Sequence, residues 1–223
     1  MPLPLDELCE IIAKHTPTGE AAPFPKVTFR SGTTELEPFA VVLDPMLCFV
    51  IQGAKSIIIG DRVMNYGANS VLALALHLPA TGRLVEGTGS KPYLAIAIDL
   101  DREMVSELLL GLPQVPAVET EAFTVSPMEV TMIEPLLRLA RLADNPEDAA
   151  QLAPLSIREI LYRAVKGPIG ILLREFARGD GRTAQVRLAV DWILTMNEHA
   201  SIDRLASIAG MSVTSGFLLP SER

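Results

Sequence analysis

Residues 5–14 place Leu5, Leu8, Cys9 and Ile12 at helical spacing, which predicts a short amphipathic helix with one buried face. The Pro-, Thr- and Gly-rich stretch after it predicts a loop. From Lys26 to Asp99 the pattern changes to short β-prone runs: PKVTFRSG, EPFAVVLD, LCFVIQG, AKSIIIGD, RVMNYG, NSVLALAL, TGRLVEG and KPYLAIAIDL. Turn residues separate them, among them Gly53, Gly60, Asp61, Gly67 and Gly87 to Gly89. Many short strands at regular spacing imply an all-β sandwich or barrel.

From Asp101 onward the period becomes helical. Asp101 is placed to cap a helix running through Met104, Val105, Leu108 and Leu109 to Gly111. SPMEV at 126–130 reads as a helix start, with Ser126 as N-cap, Pro127 at the first helical position and Glu129 reaching back. That helix would carry Ile133, Leu136, Leu137 and Leu139, and Pro135 should bend it. Further helices are expected over APLSIREILYRAVKG, stopped by Gly167 and Pro168, over PIGILLREFARG, stopped by Gly179, and over AQVRLAVDWILTMNEH. In SIDRLASIAGMSVTS, a cap at Ser201, a short helix with Leu205, Ala206 and Ile208, a turn at Gly210 and a second cap at Ser212 make a helix-turn-helix pattern.

Composition narrows the class. The 223 residues are 49% hydrophobic, enough for one sizeable core or two small ones. No window reaches the roughly 18 uninterrupted apolar residues of a membrane span, and acids stand at the N-terminus where a signal peptide is basic. The expectation is a cytoplasmic protein with no membrane partner. Cys9 and Cys48 are far apart and form no CxxC pair, so neither a disulfide framework nor a zinc knuckle is indicated. The net charge of -8 runs against DNA binding, which rests on Lys and Arg neutralising phosphates.

Taken in order, LCFVIQGAKSIIIGDRVMNYG, PYLAIAIDLD, LRLADNPEDAAQLAPLSIREILYRAVKGPIGILLREFA and IDRLASIAGMSVTS resemble the AraC/XylS family of transcription regulators, in the branch with a cupin-type N-terminal domain. The resemblance implies a mixed β-then-α fold: a cupin-type β-barrel (jelly-roll) N-terminal domain, then a helical connector and a partial helix-turn-helix. Residues 1–118 would form the effector-binding domain with its N-terminal helix, 119–182 the connector and dimerisation segment, and 183–223 a truncated helix-turn-helix. The chain departs from the family after Ser215: it reads Gly216, Phe217, Leu218, Leu219, Pro220 and ends at Arg223, where family members continue a recognition helix and add a second unit. Ser212, Thr214 and Ser215 are the DNA-facing residues left, and none is a base-reading Arg, Lys, Asn or Gln. From Thr183 onward Arg187, Arg204 and Arg223 stand against Asp191, Glu198, Asp203 and Glu222, so no positive footprint is present. Promoter DNA is therefore expected as a partner of a full-length parent and not of this chain.

A cupin fold raises the question of an enzyme. Metal-binding cupins hold their ion with histidines and a glutamate on adjacent strands. The segment that should supply them, FAVVLDPM, offers Val41, Val42, Leu43 and Met46, and His15, His77 and His199 fall on three separate elements. No metal, cofactor or catalytic residue is expected; the alternative is a cupin-fold enzyme acting on a small metabolite. The expected partner is a small-molecule effector, with Cys48, Gln52, Tyr66, His77 and Arg83 as candidate contacts. Alternation on LCFVIQG puts Cys48, Val50 and Gln52 on one face and Leu47, Phe49 and Ile51 on the other, one of which lines the barrel. His77 stands near the barrel mouth, and a phenol such as Tyr66 or a guanidinium such as Arg83 can orient a polar ligand. Trp192 is expected in a helix core. A homodimer through the N-terminal domain or the connector helices is expected because Leu136, Leu137, Ile160 and Leu161 are too many apolar residues for one small helical layer.

Overall fold

In the computed structural model, the described residues are 4–179 apart from 18, 36, 60, 61 and 119. Ten strands pair into two sheets, all antiparallel. The larger has the order β1 (Glu20–Phe24), β2 (Val27–Gly32), β9 (Tyr93–Asp99), β4 (Met46–Gln52), β7 (Ser70–Leu74) and β10 (Phe123–Pro127). The smaller has β3 (Phe39–Leu43), β8 (Leu78–Glu86), β5 (Ala54–Ile59) and β6 (Arg62–Gly67). The chain passes back and forth between the two sheets, so the architecture is a jelly-roll-like sandwich followed by helices. All eight strands expected between Lys26 and Asp99 are present.

Two strands depart from the expectation. β1 lies where a loop is predicted; it is an edge strand, where Pro23 forfeits no ladder bond on its open side. β10 takes up Ser126 and Pro127, which pair with Val71 and Ser70. The helix start predicted at Ser126 is thus displaced: a single 3-10 turn covers Val130–Met132 and α3 runs over Ile133–Arg141. Pro135 then falls in the first turn of α3, where its missing N–H has no intrahelical acceptor to lose, so the predicted bend has no cause.

The remaining helices are α1 (Pro4–His15), α2 (Arg102–Leu110), α4 (Pro146–Lys166) and α5 (Gly170–Arg178). The Met104 N–H donates to Asp101 Oδ1 at 3.1 Å, the cap the sequence predicts, and Gly111 follows the last turn. α4 begins a full two turns before the expected APLSIREILYRAVKG, with Pro146 in its first turn and Pro154 inside it. α5 ends at Gly179, whose φ of 67° few side chains tolerate. The helices expected over AQVRLAVDWILTMNEH and SIDRLASIAGMSVTS, with Trp192, lie outside the described residues.

Two apolar cores flank the larger sheet. One lies between that sheet and the helices: Leu47, Phe49, Ile51, Val71, Ala73, Leu94, Ile96 and Ile98 meet Leu8 and Ile12 of α1, Leu136 and Leu137 of α3, Ile160 and Leu161 of α4, and Leu173 of α5. This core is continuous across residue 118. The other lies between the sheets and takes the alternate residues of the same strands: Cys48, Val50, Leu72, Leu74, Tyr93, Ala95 and Ala97, against Leu43, Ile57, Ile59, Tyr66, Ala80 and Leu84. Leu136, Leu137, Ile160 and Leu161 are all 2% exposed or less. The reason given for a dimer therefore fails, because the chain's own sheet covers those four residues.

Candidate effector site between the two sheets

Alternation in β2, β4, β5, β6 and β9 decides what faces the inter-sheet space. In β5, Lys55 shares its face with Ile57 and Ile59 and is only 6% exposed. Its cross-strand partner on β6 is Tyr66 and on β8 it is Leu84, both buried in the inter-sheet core. The Lys55 stem crosses Gly82, where a Cβ would stand 2.9 Å from Lys55 Cε and 2.9 Å from Phe39 Cζ, and its Nζ lies 4.8 Å from the centre of the Phe39 ring. Among the described residues Lys55 has no carboxylate partner. Burial and the nearby Arg30 cation hold its ammonium below the usual lysine range, and Glu20 and Cys48 offset this only in part.

Arg30 reaches the same space from β2. Its Nε is 3.4 Å from Glu20 Oε2, an ion pair in which that buried Nε completes no hydrogen bond, and Nη1 is 3.9 Å from Met46 Sδ. Cys48, on β4, is 2% exposed. Tyr93 opens β9, backed by Gly53 and Gly87: a Cβ at Gly53 would stand 2.9 Å from Tyr93 Cα, and Gly53 has φ of 78°. Burial first, then the Cys48 thiol, push both the Tyr66 and the Tyr93 phenols well up, so both stay protonated donors. The compartment thus combines two cations, two phenols and a thiol with small and apolar residues such as Ala80, Ala95 and Ala97.

Of the five effector contacts expected from sequence, this geometry brings Cys48 and Tyr66 together. Gln52 follows a register irregularity in β4 and donates Nε2 to Pro92 O at 2.7 Å. His77, in the turn between β7 and β8, has Nδ1 2.8 Å from Asp44 Oδ1, and Arg83 lies on the exposed face of β8. Ser212, Thr214 and Ser215 lie outside the described residues. Lys55, Arg30 and Tyr93 were not singled out in the sequence. The signal was available: in AKSIII, Lys55 stands two before Ile57 and four before Ile59, the spacing of one strand face. Among the described residues no three His, Cys, Asp or Glu side chains cluster as a metal site would require, and no helix is long and apolar enough to cross a membrane.

The fold is a β-sandwich with a helical layer on its larger sheet and with Lys55, Tyr66, Tyr93 and Cys48 enclosed among apolar residues on its inter-sheet side. The family of AraC-type transcriptional regulator N-termini matches residues 23–171, two thirds of the chain, and the protein belongs to it. The chain is similar to solved structures of ToxT from Vibrio cholerae strain SCE256: a ligand-free lysine-to-alanine variant (10% identity, 86% of this chain and 91% of that chain, TM-score 0.46) and the wild type bound to an unsaturated fatty acid (10%, 87% and 90%, TM-score 0.44). It is also similar to the AraC-like transcriptional activator CuxR (12% identity, 87% and 70%, TM-score 0.38). No curated protein sequence matches it.

Proposed function

We propose that this protein is the sensing part of a transcription regulator, that it binds a small-molecule effector between its two sheets, and that it is not an enzyme. The observation that carries the reading is Lys55. A buried ammonium without a carboxylate partner is costly to the fold. A residue kept at that cost, across from Tyr66 and near Cys48 and Arg30, marks a place where a ligand oxygen completes the set. The rest of the lining is apolar, as small-molecule pockets are.

The family assignment supports regulation over catalysis. The one carboxylate described beside the site's cations, Glu20, is engaged in an ion pair with Arg30, and His77 is engaged with Asp44 at a strand end, which leaves the site with donors and cations and no base in place. The protein dimerises, on this reading, through the exposed stripe Leu152, Leu155 and Tyr162 of α4, spaced three and seven residues apart.

A thermal-shift screen of small metabolites tests the effector site. An effector at 100 times its Kd raises stability by about 2.7 kcal/mol. Lys55→Met and Tyr66→Phe should abolish that rise while leaving the circular dichroism spectrum unchanged. A rise that survives both substitutions places the ligand elsewhere and overturns the reading.

A further inference from the structure

Lys55 differs from the other four lysines of the chain. Lys14 pairs with Asp144 at 2.6 Å and is exposed, Lys26 pairs with Asp101, Lys166 lies over the Tyr162 ring, and Lys91 is exposed. Lys55 too lies over a ring, that of Phe39, but it alone is enclosed, with a second cation, Arg30, near it and a phenol directly across on the neighbouring strand. Burial, with Arg30 and against a partial offset from Cys48 and Glu20, favours the neutral amine, whose nitrogen lone pair is a nucleophile. Tyr66 and Tyr93 supply protons, and the apolar walls keep out the water that would hydrolyse a product of amine and carbonyl.

We propose that Lys55 captures its effector covalently as an imine, so that the regulator senses a small aldehyde or ketone with an apolar body. This rests on the reading of the inter-sheet space as the effector site. The Lys55 nitrogen attacks the carbonyl carbon; a C–N bond forms, and the C=O π pair moves to oxygen, which takes a proton from a phenol. The nitrogen returns one proton to that phenolate, and the hydroxyl, protonated by a phenol, leaves as water while the C=N bond forms. Loss of the second nitrogen proton restores the phenol. The balance is one amine and one carbonyl in, one imine and one water out, with no oxidant or reductant.

Propanal, hexanal and benzaldehyde are incubated separately with the full chain at neutral pH, trapped with cyanoborohydride and mapped by peptide mass spectrometry. The expected result is reductive alkylation of Lys55 at least about tenfold faster than of the other four lysines, because burial favours its neutral amine. Lys55→Arg should lose this labelling while keeping its melting transition, and Cys48→Ser should keep it. A thermal shift with hexanoate in parallel separates the two levels of the claim. Stabilisation by hexanoate that depends on Lys55, with Lys55 unlabelled by all three carbonyls, overturns capture and leaves the effector site standing. An unlabelled Lys55 with no shift from any of the four compounds overturns both.

Discussion

On the proposed reading, Lys55 serves binding at the expense of fold stability, and the two effects have opposite signs. Replacing it with Met removes a buried charge that has the Phe39 ring but no carboxylate beside it and keeps the length of the side chain, so Lys55→Met should stabilise the protein by about 1–3 kcal/mol. Denaturant unfolding measures this directly. The pH dependence follows from the lowered ammonium of Lys55, set by burial, by Arg30, and in the other sense by Cys48 and Glu20. Between that lowered value and the 10.5 of an ordinary lysine, the unfolded chain holds more protons than the folded one, so stability rises with pH. The gap between wild type and Lys55→Met should narrow across that window and stay constant below it. A gap that widens as pH rises would mean that Lys55 gains a favourable partner in the fold. Sequence pattern exposed Cys48 and Tyr66 as candidates because thiols and phenols draw notice in any strand. It passed over Lys55 because a lysine in an isoleucine-rich run reads as solvent-facing until the strand's partner fixes which face is inward.

Among elements, α2 shows local chemistry and tertiary pairing in agreement, and the region before α3 shows them in conflict. Asp101 caps α2 through the Met104 N–H and pairs with Lys26, which hold its carboxyl below the usual range. Asp101→Ala should cost about 1 kcal/mol, most of it from the cap. Asp101→Asn keeps an acceptor and should cost less. The stability that the carboxylate contributes is present above pH 3.8 and lost as pH falls through its lowered value, and an acid titration of the two variants checks this. SPMEV carries strong helix-start residues, yet Ser126 and Pro127 complete a five-residue ladder with β7. A local signal worth about 1 kcal/mol yields to a run of strand pairing and burial that no local window contains. The same reasoning explains β1: Pro23 argues against a strand until the strand proves to be an edge.

At the scale of the whole molecule, the described helices and the larger sheet share one core, and residues up to Ala177 form one compact unit. Leu161 is fully buried in that core, so Leu161→Ala should cost about 2–5 kcal/mol and lower the melting of sheet and helices together. Hydrogen exchange in β4 and in α4 reports the two separately. If α4 loses protection while β4 keeps it, the helices are a separate module and not part of this core. The β-then-α order was legible from periodicity alone, because the two periods occupy separate stretches of chain. That the helices cover one face of the sheet was not, since amphipathic helices give no sign of whether their apolar side meets the same chain or a second copy. Light scattering on Leu155→Glu tests the remaining surface: a dimer converted to a monomer is the expected result.

β4 and β9 have no free side. From Met46 to Ile51 and from Tyr93 to Ile98 every residue is buried, alternately toward the helices and toward the inter-sheet space. β8 instead alternates between buried Ala80, Gly82 and Leu84 and exposed Thr81, Arg83 and Val85. In a saturation library the two kinds of strand would leave different traces: a comb over β8, where every second position accepts most residues, and an unbroken bar over β4 and β9. Compensation would also cross the wall. A strand packed on both sides moves as a plank, so a bulky change at Cys48 that tilts it is relieved by trimming Phe49, Leu136 or Ile160 behind it. Second-site suppressors of ligand-blind variants should therefore arise in the helices as well as in the pocket.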